Sequence, residues 1–495
     1  MPNKLVPRLV IAAGALLVVA AGAALTLIGR PPQLLRVGAA YGAKIVCSNV
    51  FIAHRDAQDV LADDVQAPGH PLLKYLRVRV DRQNKTVHAD FFGLLGQGLA
   101  VYRPGTGCAV VPDGDLAQAS RYQYPPLRIW SASPNVPWPT GAMAETLPAI
   151  QAAVNDDKLA GPGMRGLVVI HRGRLVAQRY GDGFGVGVPL LGWSMTKTVT
   201  AALAGIGIAD GSLAPGRTGC WADPADPRAQ ITLAQLMAMT SGLQFNEAYG
   251  DVSDVTRMLY LEPDMAAFAA AQPLAHTPGT VWQYASGSTV LLARIWQRAA
   301  VPTGSVSATG ALALPHDQLF APLGMSSAII EADARGTLVG SSYMYATTQD
   351  WARFGQFLLQ DGVWQGKRML PPGFVAAMQA PVPASGGRYG QGLVWRQGPT
   401  TGPNADGPYG LPADTYWMQG HDGQSIAIVP SRQLVVVRLG LTPDALQYRP
   451  QALLAQVVQQ VDAMPPPIAP APRADQDDDE DEDDAPDAST AAASR

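Results

Sequence analysis

Cysteine is scarce in this chain: three in 495 residues, Cys47, Cys108 and Cys220. No two of them form a Cys-x-x-Cys pair, so a structural zinc site has no support. Histidine is little commoner, at seven, with no His-Glu-x-x-His and no other metal spacing. No metal or cofactor is implied. Basic charge is thin as well, with 36 lysines and arginines against 40 acidic residues and a net charge of −4. The acidic excess is local. Residues 473–495 hold ten acidic side chains against Arg473 and Arg495, a balance of −8, which leaves +4 on the rest. That is too mild for a nucleic-acid footprint. No glycine-rich segment leads from a strand into a helix with Gly-Lys-Ser/Thr, which excludes a phosphate loop. There is no internal repeat.

What the chain does have is 47% hydrophobic residues and length enough for two folded parts. Lys4 and Arg8 precede Leu9 to Gly29, 21 residues without a charge. That run is long enough to span a bilayer, and it is read as an uncleaved amino-terminal anchor over residues 1–30. The bulk would then lie in the periplasm, on a single-pass inner-membrane protein. Ala21-Gly22-Ala23 is a weak cleavage site, and Arg30 and Arg36 beyond the span weaken the orientation signal. In an oxidising compartment Cys47 and Cys108 are candidates for a disulfide.

Residues 31–125 read as a small β-rich accessory module. Leu76–Val80 and Thr86–Phe92 are strand-like around the turn cluster Asp81-Arg82-Gln83-Asn84. Prolines at 134, 137 and 139 mark a connector over 126–140. From 141 to 465 the pattern is mixed. Leu167–His171 and Leu175–Tyr180 form one hairpin, and Ser425–Val429 with Leu434–Leu439 form another. Helical spacing fills the middle, over Leu233–Met239, Thr289–Ala300 and, behind Thr347 and Asp350, Trp351–Leu358. The expected fold is α+β: the two hairpins join in one antiparallel sheet, flanked by helices, with an all-helical subdomain. Residues 466–495 are read as a solvated acidic tail.

Chemistry concentrates at Gly192-Trp193-Ser194-Met195-Thr196-Lys197. Residues three apart share a helix face, so a helix starting near Ser194 sets the Lys197 amine beside the serine hydroxyl. A hydroxyl needs such a base to become a nucleophile. The helix amino terminus would also aim N–H groups at developing negative charge. A bare Ser-x-x-Lys is also the pattern of an ordinary helix cap with a surface lysine, so partners decide. Tyr284 and Ser286 sit in a loop before the 289–300 helix, and Gly420-His421-Asp422-Gly423-Gln424 opens the last hairpin. There a backbone N–H could receive an oxyanion. A Gly-x-Ser-x-Gly elbow is not formed, because Thr196 takes its last place.

The order Ser194–Lys197, Leu236–Leu243, Tyr284–Ser286 and His421–Gly423 resembles the serine β-lactamase and penicillin-binding-protein superfamily on its class C side. Flanking residues, Phe245-Asn246-Glu247, Gln283–Ser286, Asp350–Gly355 and Gly420–Gln424, are most similar to the 6-aminohexanoate-dimer hydrolase branch. The resemblance covers roughly 141–462. It implies that Ser194 is acylated, that Lys197 and Tyr284 share the general-base role, and that the N–H groups of Ser194 and Gln424 form the oxyanion hole. It further implies that Ser286, Glu247, Tyr249, His421 and Gly423 line the substrate cleft. The pattern departs from class C enzymes in two places: Ser286 stands where asparagine is usual, and His421-Asp422-Gly423 where Lys-Thr-Gly is usual. Without that lysine a β-lactam carboxylate has no partner. The expectation is a serine amidase or esterase acting on a small-molecule substrate. A D,D-peptidase or weak β-lactamase is the nearer alternative, and a silent periplasmic binding or sensor module the more distant one.

Overall fold

The computed structural model describes residues 29–125, 133–216, 218–301, 310–399 and 405–465, together with Thr26. Almost all of the apolar run of residues 9–29, the first part of the connector and the acidic tail lie outside the described residues. Among the described residues no helix is long and apolar enough to cross a membrane.

The accessory segment opens on a helix. α1 spans Gln33–Phe51 and is buried along most of its length. A helix that is buried all round has no amphipathic stripe to betray it in the sequence, and the β-rich reading of 31–125 is corrected to that extent. Over α1 lies an antiparallel meander of β1 (Leu76–Asp81), β2 (Thr86–Phe91), β3 (Leu95–Arg103) and β4 (Gly107–Val110). The expected turn after β1 is closed by Asn84 N–H donating to the Asp81 carboxylate at 2.9 Å. Gly98 allows the close approach of β3 to α1: a Cβ there would stand 2.4 Å from the Ala39 carbonyl. Cys47 of α1 and Cys108 of β4 are joined by a disulfide, and Cys220 is the free thiol.

The main sheet has five antiparallel strands. β5 (Met164–His171) and β6 (Arg174–Tyr180) form the first hairpin, and β7 (Tyr416–Gly420), β8 (Gln424–Val429) and β9 (Leu434–Gly440) return near the end, in the order β7-β8-β9-β5-β6. The two expected hairpins do meet, through β9 on β5 with Val436 opposite Val169. Period-two alternation divides their side chains between two cores. Val435 and Val437 face one, Leu434 and Val436 the other. On the second face pack α2 (Pro148–Asn155) and α9 (Pro450–Asp462). On the first lies α8 (Thr348–Leu359), whose Thr347 cap accepts from Asp350 N–H at 3.2 Å. Beyond it is the helical region of α3 (Met195–Ala209), α4 (Leu233–Met237), α5 (Asp254–Leu261), α6 (Met265–Ala270) and α7 (Ser286–Ala299). This is the expected α+β arrangement. Strand β7 is an addition, because Tyr416–Gly420 shows no alternation of polar and apolar residues.

One apolar core runs from α1 and the meander into α3 and α7. Buried polar groups fasten the same boundary. Lys44 of α1 is paired with Glu331 and donates to Ser48 Oγ at 2.8 Å, while Glu331 also accepts from Ser48 Oγ at 2.8 Å and Cys108 N–H at 2.6 Å. Asp64 is held by Arg55 and Arg165, each at 2.6 Å.

Candidate active site

Ser194 stands at the head of α3, immediately after Trp193, which is held at a φ of 47°. That left-handed conformation disfavours a side chain, at roughly 1–2 kcal/mol. Here ring packing holds it, with the Trp193 ring 6.1 Å from Tyr343 and 5.7 Å from His421. The turn presents a half-buried Ser194, and helical spacing does what the sequence implied. Lys197 Nζ donates to Ser194 Oγ at 3.0 Å, to Ser286 Oγ at 3.1 Å and to the Ser341 carbonyl at 2.9 Å. Burial brings the Lys197 amine down to about 8, against an opposing pull from Glu247.

Tyr284 approaches from the opposite side. Lys197 Nζ lies 4.8 Å from the centre of its ring, and its hydroxyl is hydrogen-bonded with Ser194. Burial, reinforced by the Glu247 carboxylate, pushes the Tyr284 hydroxyl well above the ordinary tyrosine range. A phenolate at Tyr284 is therefore disfavoured. Of the two candidate bases, Lys197 is the one whose neutral form lies within reach of ordinary pH. An aromatic wall that sequence reasoning missed backs Tyr284, with Trp395 at 5.6 Å and Tyr389 at 6.0 Å between ring centres. Neither residue belongs to a motif, and no local signal marks them.

Ser286 begins α7 rather than lying in the loop before it. Ala285 has no side chain to cap that helix, and Glu247 does so from a distance. Its carboxylate accepts from Ser286 N–H at 2.7 Å and from Ser286 Oγ at 2.5 Å. Burial raises the Glu247 carboxyl, while Lys197 and the bonds from Ser286 and Tyr249 pull it back. Tyr249 directs its hydroxyl into this network and leaves its ring 38% exposed. Ser194, Lys197, Ser286 and Glu247 thus form one continuous hydrogen-bonded chain.

The third side of the site differs from expectation. A Cβ on Gly420 would stand 2.2 Å from Gly192 O, so only glycine lets β7 end against the turn that carries Ser194. Trp417 exchanges both backbone bonds with Trp395, at 2.8 and 2.9 Å, across the outer edge of the sheet. Alternation along the strand then turns Gly420 toward β8 and His421 N–H toward that outer edge. Gln424 is the register partner of Gly420 on the inner strand β8, so its N–H is engaged inside the hairpin. Its side chain is tied to Gly440, accepting from Gly440 N–H at 2.9 Å. Gly423 accepts from Arg438 at 3.0 Å. Gln424 and Gly423 therefore shape the turn, and His421 is the residue of this motif that meets the site. Its ring stacks on Tyr249 at 5.2 Å.

The chain belongs to the β-lactamase family, whose model matches residues 152–456, and so to the serine hydrolases of β-lactamase type. None of the curated proteins matches it. Among solved structures it is similar to a Bacillus anthracis protein assigned as a 6-aminohexanoate-dimer hydrolase, at 20% identity over 60% of this chain and 79% of that one, with a TM-score of 0.49. A penicillin-binding-protein homologue from Caulobacter crescentus is 17% identical over 63% of this chain and 97% of its own, at 0.48. A family VIII carboxylesterase is 15% identical over 63% and 97%, also at 0.48.

Proposed function

We propose that the chain hydrolyses esters or amides through an acyl-enzyme on Ser194. The observation that carries this reading is the 3.0 Å contact between Ser194 Oγ and a Lys197 amine brought down to about 8 by burial. Neutral Lys197 takes the serine proton as Oγ attacks the carbonyl carbon. The backbone N–H groups of Ser194 and His421 receive the oxyanion. Collapse breaks the bond to the leaving oxygen or nitrogen, which collects the proton from Lys197. Water then attacks the acyl carbon and gives its proton to the same base; collapse breaks the bond to Ser194 Oγ, which takes that proton back from Lys197, and the acid leaves. Tyr284 orients the serine hydroxyl, and Ser286 holds Lys197 against Glu247.

Support for an amidase or esterase over a β-lactamase comes from the β7–β8 hairpin, where Tyr416–Gln424 holds no lysine or arginine to pair with a β-lactam carboxylate. The same reading keeps the catalytic domain in the periplasm, tethered by residues 9–29; the Cys47–Cys108 bond supports an oxidising compartment. Ser194→Ala is expected to lower p-nitrophenyl acetate turnover by about a thousandfold or more, with unchanged circular dichroism and no fluorophosphonate labelling. Undiminished turnover in that variant discards the assignment. Labelling of Ser194 by a fluorescent penicillin would move it toward a D,D-peptidase.

A further inference from the structure

The accessory segment does more than lean on the hydrolase. Where α1, the turn at residues 71–75 and β2 meet it, they border a half-open cavity of about 340 Å³, within the range of small-molecule sites. Leu34, Leu35, Leu72, Leu73 and Phe91 form its outer wall. All five precede residue 152, where the family match begins. The floor is Trp193, Tyr249 and His421. Trp193 is bonded to Ser194 in the chain, and the Tyr249 hydroxyl enters the Ser286–Glu247 network. The cavity floor thus adjoins the hydrogen-bonded chain through the Tyr249 hydroxyl. Charge narrows the occupant. Among the described residues lining the cavity are Asp251, Asp422 and Asp444 but no lysine or arginine. His70 and His421 also line it, but no fixed cation faces an anionic headgroup, and the carboxylates repel one.

Resting on the reading of Ser194 as the acylated nucleophile, we propose that this cavity holds the acyl chain of the substrate, a neutral aliphatic ester or amide. The accessory segment then sets chain-length preference: each methylene that enters leaves water for the leucine wall. An acyl group bonded to Ser194 would start one residue from Trp193 of the floor and stay there until water releases it.

The test compares p-nitrophenyl acetate and octanoate on the full chain. Octanoate is expected to have at least about tenfold higher kcat/KM, a modest share of what six methylenes gain on full burial. Leu72→Asp, at a position already 37% exposed, and Leu35→Trp, which fills the cavity, are each expected to lower the octanoate-to-acetate ratio by about tenfold. Turnover with a ratio that is flat in chain length, or unmoved by both variants, overturns the proposal and leaves the hydrolase reading standing. Octanol titration of the Ser194→Ala chain reads the cavity without turnover. Saturable binding that Leu72→Asp abolishes supports it, and absence of binding overturns it. If neither ester is turned over, the hydrolase reading fails and the octanol result alone judges the cavity.

Discussion

Two buried clusters in this molecule use the same three residue types. At the boundary of the accessory segment, Lys44, Ser48 and Glu331 lie together under the Tyr343 ring, 4.0 Å from the lysine. In the site, Lys197, Ser286 and Glu247 lie together beside the Tyr284 ring, 4.8 Å from the lysine. Burial lowers both amines. What separates them is order. Glu331 touches the Lys44 ammonium directly, and the direct pair holds the proton there. Glu247 reaches Lys197 through Ser286, which leaves the amine one bond free for Ser194. A lock needs the charges in contact, whereas a base needs its counter-charge one hydroxyl away.

The comparison breaks most sharply at Lys197. Lys197→Met is expected to lower ester kcat/KM by roughly a thousandfold with little change in thermal midpoint, since removing the base is the larger loss. Lys44→Met is expected to do the reverse. It strands Glu331 in the interior, costs about 3–5 kcal/mol in urea unfolding and leaves the turnover of folded molecules intact. A Lys44→Met/Glu331→Leu pair should recover only part of that cost, because Ser48 and the Cys108 N–H lose their acceptor, at about 1–3 kcal/mol. If Lys44→Met abolishes turnover in fully folded protein, the two clusters are not lock and base.

Smaller effects sharpen the same contrast. Ser286→Ala removes the spacer hydroxyl and is expected to lower kcat about tenfold, one hydrogen bond's worth of positioning. The base must be neutral to act, so kcat/KM is expected to rise with pH through about 8, where Lys197 loses its proton. Glu247 pulls that value upward. Glu247→Gln should therefore move the rising limb to lower pH, measured on the full pH profile. A limb that stays in place, or moves up, would detach Glu247 from the base.

The Ser194–Lys197 contact was legible because both residues lie on one helical turn and three residues fix their separation. The five-stranded sheet was legible through its β-branched runs and turn clusters. α1 was hidden by its own burial, and β7 by a run without alternation. The N–H that faces the outer edge belongs to His421 rather than Gln424, which motif order could not show because it does not reveal which strand lies on the sheet edge. Edge and interior are set by pairing partners far along the chain, here Trp395 on one side of β7 and β8 on the other.

By itself, then, the sequence determined the pairing of Ser194 with Lys197 and the family, since these depend on local spacing and motif order. Only the tertiary structure decided that Glu247 caps α7 and reaches Lys197 through Ser286. It alone set the proton affinity of Lys197 below that of Tyr284 and placed α1 as a wall beside the site. The physical reason is shared: burial and edge position move proton affinities and free N–H groups, and both are properties of what packs against a residue.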